Sequence, residues 1–169
     1  QVKCITYQQA DEQKENPELK PLFEIAKKYE QKRKSSGAVN IQLPEVHINI
    51  KNSEEEKNIV SITQTVHTES SNVVKEFMLM AGEAAAKFAF KNQIPFPFIS
   101  QDEPDIPKEI PDGYAGQYRL RRCMKSRKVG VTPSMHCSLG LAMYSQVTSP
   151  LRRYMDLIAH QQLRAFIAG

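Results

Sequence analysis

The stretch from Ser71 to Lys91 does most to narrow the folds open to this chain. Val73, Val74, Phe77, Met78, Ala81, Ala84, Ala85 and Phe88 recur at helical spacing and form one apolar stripe, while Leu79, Gly82 and Ala86 lie on the other side. A helix that is apolar or small on both sides is expected to be buried over most of its circumference, so it needs neighbours. It also carries Lys75 and Glu76, and a charge inside such a helix is costly unless paired.

The rest of the chain supplies candidate neighbours. Asn16 suits an N-cap, Pro17 a first helical position and Gly37 a C-terminal stop. Between them Leu19, Leu22, Phe23, Ala26 and Tyr29 keep helical spacing, and Lys27, Lys28, Lys32, Arg33 and Lys34 cluster toward the end where the helix dipole favours cations. Residues 38–50 alternate like a strand, with Val39, Ile41 and Leu43 in one phase and Val46, Ile48 and Ile50 in the other. The phase change across Pro44-Glu45 predicts a bulge or bend. Residues 58–67 alternate again through Val60, Ile62 and Val66, so the two runs predict a long hairpin. Glu54, Glu55 and Glu56 fall at its charged tip and read as a solvated turn rather than metal ligands. Residues 93–113 contain Pro95, Pro97, Pro104, Pro107 and Pro111 among five acids, which predicts a loop outside the core. The fold class expected is α+β, a long hairpin packed with helices.

Composition sharpens this. No apolar run approaches the roughly 18 residues of a membrane span, so no membrane partner is expected. Three widely spaced cysteines, Cys4, Cys123 and Cys137, argue against a disulfide scaffold or zinc site and fit a reducing compartment, the cytoplasm. The chain starts at Gln1 without a signal-peptide pattern, and we read it as a piece of a longer protein. Its charge is uneven. Residues 1–113 carry 14 Lys and Arg against 18 Asp and Glu, a balance of −4; residues 114–169 carry nine against Asp156 alone, a balance of +8. A basic end of this kind points to a polyanion. Within it, Tyr114 and Tyr118 precede Arg119, Arg121, Arg122, Lys125, Arg127 and Lys128, a run that fits a helix, a basic arm or a solvated face. His136–Tyr144 reads as a buried strand or tight turn leading into the last helix.

That last helix is expected to begin at Ser149-Pro150, with Leu151, Tyr154, Met155, Ile158, Phe166 and Ile167 as core positions. Arg152 and Arg153 then stand in its first turn, the wrong end for cations. Two explanations follow. Asp156 pairs with Arg152 at i,i+4 while Arg153 snorkels, or an anion sits at the helix N-terminus, held by backbone N–H groups, the Ser149 hydroxyl and a guanidinium. With the basic end, a nucleic-acid phosphate is the natural anion. His47, His67, His136 and His160 form no constellation, and no nucleophile elbow, P-loop, H-E-x-x-H or dinucleotide fingerprint is present. Nor is there a clustered D-x-D pattern for magnesium.

The string Y-S-Q-V-T-S-P-L-R-R-Y-M-D-L-I-A-H, Tyr144 to His160, closely resembles the signature of the ribonuclease II / ribonuclease R family within its catalytic RNB domain. The resemblance extends through Ile5–Ala10, Lys32–Glu45, Val73–Ala81 and His136–Leu141. It implies a magnesium-dependent 3′→5′ exoribonuclease that hydrolyses single-stranded RNA to nucleoside 5′-monophosphates. It gives Arg152 the catalytic role of contacting the phosphate and neutralising transition-state charge. Tyr7 and Glu76 would lie near the terminal nucleotide, and Ser149 and Arg153 would help grip the RNA. The family's magnesium-binding aspartates lie upstream of everything matched, so residues 1–169 resemble the C-terminal half of the domain. No metal ligand is expected within the chain. Its expected partners are single-stranded RNA and the missing half of its own domain. Alone it is expected to be inactive and to expose apolar surface along Val73–Phe88. Lys75, Gly82, Ile99, Gln101 and Gln161 depart from the family pattern, which leaves a catalytically silent RNA-binding relative as the alternative. A third reading is an unrelated scaffold in which Arg152 and Asp156 form a helix salt bridge.

Overall fold

The computed structural model describes residues 4–51, 59–65 and 67–169; the readings placed on Glu54–Glu56 and Val66 lie outside these residues. The first helix, α1 (Tyr7–Glu12), is closed by a reciprocal capping box between Thr6 and Gln9. The next, α2 (Lys20–Ser35), starts later than Asn16-Pro17 predict. The reason is local. The Asn16 side chain accepts from Glu18 N at 3.0 Å and its carbonyl from Leu19 and Lys20 N, so residues 16–19 form their own turn before the helix begins. Gly37 stands beyond the C-cap at φ 86°, the left-handed conformation a helix stop requires.

The hairpin forms, in a shorter version. β1 (Val46–Lys51) pairs antiparallel with β2 (Ile59–Gln64), Ile48 opposite Ile62. The ladder starts at Val46 and not at residue 38, because the preceding backbone groups bond elsewhere. Val39 N donates to the Ser138 carbonyl at 2.9 Å and Gln42 N to the Gln117 side chain at 2.9 Å. All of β2 is exposed.

α3 (Glu69–Lys91) is the long central helix. Its buried positions are Ser70, Glu76, Gly82, Glu83, Ala86 and Ala89, whereas Val74, Met78 and Phe88 of the apolar stripe are exposed. This corrects the expectation of burial over most of the circumference, and agrees with the expectation of apolar surface exposed along Val73–Phe88. The face turned inward is the one with charge and small residues, because α2 meets it with Tyr29 and Arg33. The apolar stripe instead lines a shallow groove of about 420 Å³ with Leu22 and Thr148.

The proline-rich stretch is irregular over residues 94–97 and 102–112, as a loop reading predicts, but its first part is not outside the core. Ile94, Phe96 and Phe98 alternate into the core with Ala86 and Ala89 of α3 and Ala159 of the last helix. Pro95 takes the exposed position of this extended segment, where no N–H is required, and Pro97 is buried with its carbonyl accepting from Ser145 Oγ at 2.7 Å. It runs into β3 (Phe98–Gln101), which pairs antiparallel with β4 (Arg127–Gly130). Between them, residues 102–112 are irregular and α4 (Gly113–Cys123) takes up much of the basic run. A 3-10 turn over Cys137–Leu139 ends at Gly140, φ 65°, where a Cβ would overlap the Arg33 carbonyl. α5 (Tyr154–Ala168) completes the chain. The three cysteines are free, and among the described residues no helix is long and apolar enough to cross a membrane.

Candidate functional site

The signature residues fold as a turn held by a helix. α5 begins at Tyr154 with Arg153 as its N-cap, not at Ser149-Pro150. Pro150 occupies the second place of a turn in which the Ser149 carbonyl accepts from Arg152 N at 3.2 Å and Arg153 N at 3.1 Å. Proline fits that position because its fixed φ suits the turn and its missing N–H is not called on. The Ser149–Arg153 turn therefore projects from the helix, with Leu151 101% exposed at its tip and Arg152 exposed beside it.

Asp156 anchors the turn. It is fully buried in the first turn of α5, and its Oδ2 accepts from Ser149 N at 2.8 Å. A carboxylate there also suits the positive end of the helix dipole. This overturns the first explanation drawn from the arginines' place in a first helical turn, the pairing of Asp156 with Arg152. Among the described residues Asp156 does not pair with Arg152; its carboxylate bonds the backbone of Ser149, ahead of the start of α5 at Tyr154. The reading as an unrelated scaffold with an Arg152–Asp156 salt bridge falls with it. Arg153 is half-buried and tied down: its Nη2 donates to Ser149 Oγ at 3.2 Å. With the Gln146 amide oxygen facing the guanidiniums, it accepts from Arg153 Nη1 at 3.2 Å and from Arg127 Nη1 at 3.1 Å. The Tyr144 hydroxyl belongs to the same cluster; burial pushes its pKa up, Arg153 pulls it down and Asp156 raises it further. Arg153 Nε and Asp156 Oδ1 have no partner among the described residues. His160 closes the other side, its Nε2 2.6 Å from the Val147 carbonyl.

Glu76 sits elsewhere, at the centre of the α2–α3 contact. It is 0% exposed and both oxygens are taken by Arg33, with Nε to Oε2 at 2.9 Å and Nη2 to Oε1 at 2.5 Å. Arg33 Nη1 reaches on to the Leu139 carbonyl at 3.0 Å. Next to this pair, Tyr29 donates to Glu83 Oε2 at 2.7 Å. Burial, then the Glu83 carboxylate, drives the Tyr29 pKa upward. Tyr7 is half exposed on α1, whose Asp11 carboxylate accepts from Ser70 N at 2.7 Å and Glu69 N at 3.2 Å at the start of α3. The structure thus joins Ser149, Arg152 and Arg153 in one turn and places Tyr7 and Glu76 along α3.

Four of the five departures from the family pattern have local accounts, and nothing in the structure explains Gln161. Gly82 is where a Cβ would overlap the Tyr144 ring and stand 2.5 Å from the Ser145 carbonyl. Ile99 is buried, and the Gln101 side chain is engaged by Ser138 Oγ and the Lys125 carbonyl. Lys75 is exposed, 3.5 Å from Glu76 Oε1. Arg33 and Asp156 are the residues that sequence reasoning undervalued. A buried Glu76 in need of a cation was the signal for the first; nothing in the spacing separated Asp156 as an anchor from Asp156 as a salt-bridge partner. Among the described residues no three His, Cys, Asp or Glu side chains come together to hold a metal, so these residues do not fit a magnesium site. What they can do is present one unpaired guanidinium, Arg152, from a fixed turn.

The chain is 43% identical over 98% of its length to an uncharacterized ribonuclease of Synechocystis sp., and 32% identical over 98% to the chloroplastic/mitochondrial ribonuclease II of Arabidopsis thaliana. It spans 26% and 22% of those two relatives. Among solved structures it superposes on the Dss1 exoribonuclease of Candida glabrata with a TM-score of 0.82, at 22% identity, over 98% of this chain and 25% of that one. Ribonuclease R of Mycoplasma genitalium, solved with ribose-methylated single-stranded RNA, gives a TM-score of 0.66 at 23% identity, over 86% of this chain and 28% of that one. The fold is therefore shared with exoribonucleases of this type. The RNB domain model matches residues 1–110 and 108–169, and the chain belongs to the RNB domain family.

Proposed function

We propose that this chain is the C-terminal half of the catalytic domain of a 3′→5′ exoribonuclease, and that its Ser149–Arg153 turn grips the phosphate of single-stranded RNA as nucleoside 5′-monophosphates are released. The observation that carries the reading is the exposed Arg152, without a carboxylate partner among the described residues, on a turn fixed by buried Asp156. An exposed guanidinium carried on a fixed backbone turn is suited to bind phosphate oxygens bidentately and to neutralise the charge that grows on them in the transition state. Arg153, already bonded to Ser149 and Gln146, positions the turn. Glu76 acts through Arg33, as a positioning residue. The magnesium expected of such an enzyme would be held by residues outside these 169. The free cysteines fit a reducing compartment such as the cytoplasm.

The test uses 5′-labelled single-stranded RNA with the full-length protein and magnesium. Shortening from the 3′ end by the wild type, slowed about 100-fold or more by Arg152→Ala, is the expected result. Binding without shortening would instead identify the silent RNA-binding relative, a reading motivated by Lys75, Ile99 and Gln161. Neither binding nor shortening would defeat both.

A further inference from the structure

α4 is a helix that buries almost nothing. Of its eleven residues Gly116 is the buried one, and a Cβ there would overlap the Pro111 carbonyl. At about 100° per residue, Tyr114, Tyr118, Arg121 and Arg122 share an arc of roughly 100°, away from Gly116, Leu120 and Cys123. The two tyrosines are 65% and 56% exposed, and both arginines are exposed. No acid lies on this arc. Just beyond it Lys125 and Lys128 are neutralised by Asp105 and Asp102, whereas Arg119, Arg121 and Arg122 have no carboxylate partner among the described residues. Gln117 accepts from Gln42 N and so fastens α4 to the segment before the hairpin. Tyr114 also lines a cleft of about 1170 Å³ between α2, residues 40–44 and the start of α3, where Lys27 and Lys75 stand among Glu24, Glu30 and Glu69, so the uncompensated charge is on α4 and not in the cleft.

Two aromatic rings one helical turn apart, about 6 Å along the axis, with guanidiniums on the next turn, match a strand that alternates bases and phosphates. Rings stack on bases of any identity and arginines take the phosphates. A helix lying on a membrane would need aliphatic residues on this arc, and it has none. We propose that the Tyr114–Tyr118–Arg121–Arg122 face of α4 is an auxiliary surface for single-stranded RNA, holding a stretch of strand other than the one gripped at Arg152. The proposal rests on the RNA reading given above.

The test measures fluorescence anisotropy of labelled 4- and 30-nucleotide single-stranded RNAs with the full-length protein in EDTA across a KCl series. The variants are Tyr114→Ala/Tyr118→Ala and Arg121→Gln/Arg122→Gln. All four positions are exposed, and thermal melts establish that the variants fold. For the 30-mer, the tyrosine pair is expected to raise Kd about tenfold or more. The arginine pair should flatten the log Kd against log salt slope by about 1.4. The 4-mer should stay within twofold. If both variants bind the 30-mer like wild type with the same slope, the α4 surface is not an RNA site and the proposal is overturned. If wild type binds neither RNA, the exoribonuclease reading falls and takes this one with it.

Discussion

Removing the Glu76 carboxylate should unfold this chain far more readily than it should weaken any surface contact. Glu76 and Arg33 are paired through two bonds of 2.9 and 2.5 Å, and their side chains are 0% and 8% exposed. Glu76→Ala leaves a guanidinium buried against a helix with the Leu139 carbonyl and the Tyr29 ring but, among the described residues, no carboxylate. Breaking such a pair from one side costs about 3–5 kcal/mol. For a chain of this size each kcal/mol moves the midpoint by about 2–4 °C, so the expected fall is roughly 6–20 °C. Lys75, half exposed at 3.5 Å from Oε1, cannot make up the difference, because pairing at that exposure is worth under about 1 kcal/mol. Arg33→Met/Glu76→Met removes both charges at similar volume and should recover most of the loss. A double-mutant cycle by reversible thermal or urea unfolding would then give a coupling of about 2 kcal/mol or more. If Glu76→Ala melts within 2 °C of wild type while RNA affinity drops, Glu76 is a nucleotide contact and the positioning role is wrong.

Three further outcomes follow from the same structure. Asp11→Ala strips the carboxylate that caps the N-terminus of α3 and should cost about 1 kcal/mol in urea melts. Burial acts to raise the Asp11 pKa, but hydrogen bonds from Ser70 and Glu69 outweigh it and hold the carboxyl below its ordinary value. Its contribution is therefore present above about pH 4 and fades as pH falls below that, a slope the variant should lack. Burial lowers the His136 pKa, so the folded state prefers neutral imidazole. Stability should be full above about pH 6.5 and decline as pH falls through that value, and His136→Gln should flatten the melting temperature between about pH 5 and 7. Gly82→Ala forces a methyl into the Tyr144 ring and should cost about 1–3 kcal/mol in thermal melts; a melt unchanged from wild type would refute the close packing.

Local signals carried much of this fold and almost none of its orientation. The hairpin phase, the Gly37 stop and the long central helix were legible because each rests on period or backbone chemistry within a few residues. The face that α3 turns inward was not. Amphipathicity ranks faces by transfer free energy, and here Glu76 and Glu83 go in because Arg33 and Tyr29, some 40 to 50 residues away in sequence, wait for them. The core role of Phe96 was hidden for a related reason: proline marks a loop only when the residues between prolines are not alternating inward. At the candidate site the sequence exposed the oddity, two arginines after Ser-Pro, but set the helix start at Ser149. The turn chemistry of Pro150 and the reach of Asp156 back to Ser149 N decide the geometry, and spacing alone admits either arrangement.

The polar interior has a consequence for the Arg152 turn. Apolar contacts are non-directional, and a small cluster of alanines and three aromatic or branched residues gives little resistance to rotation or sliding. Hydrogen-bonded charges resist both, since a displacement of an ångström leaves a buried group unsatisfied. Arg33 and Glu76 fix α2 against α3 and hold the Leu139 carbonyl; Gly140 lies against the Arg33 carbonyl; Tyr144 lies against Gly82; and Ser145 bonds the Pro97 carbonyl at 2.7 Å. Asp156 then ties Ser149 to α5. Each link from α2 to the turn is a directional bond or a close contact that admits one arrangement. The buried polar groups of this chain thus secure the position of the Ser149–Arg153 turn, on which the proposed grip of Arg152 on phosphate depends.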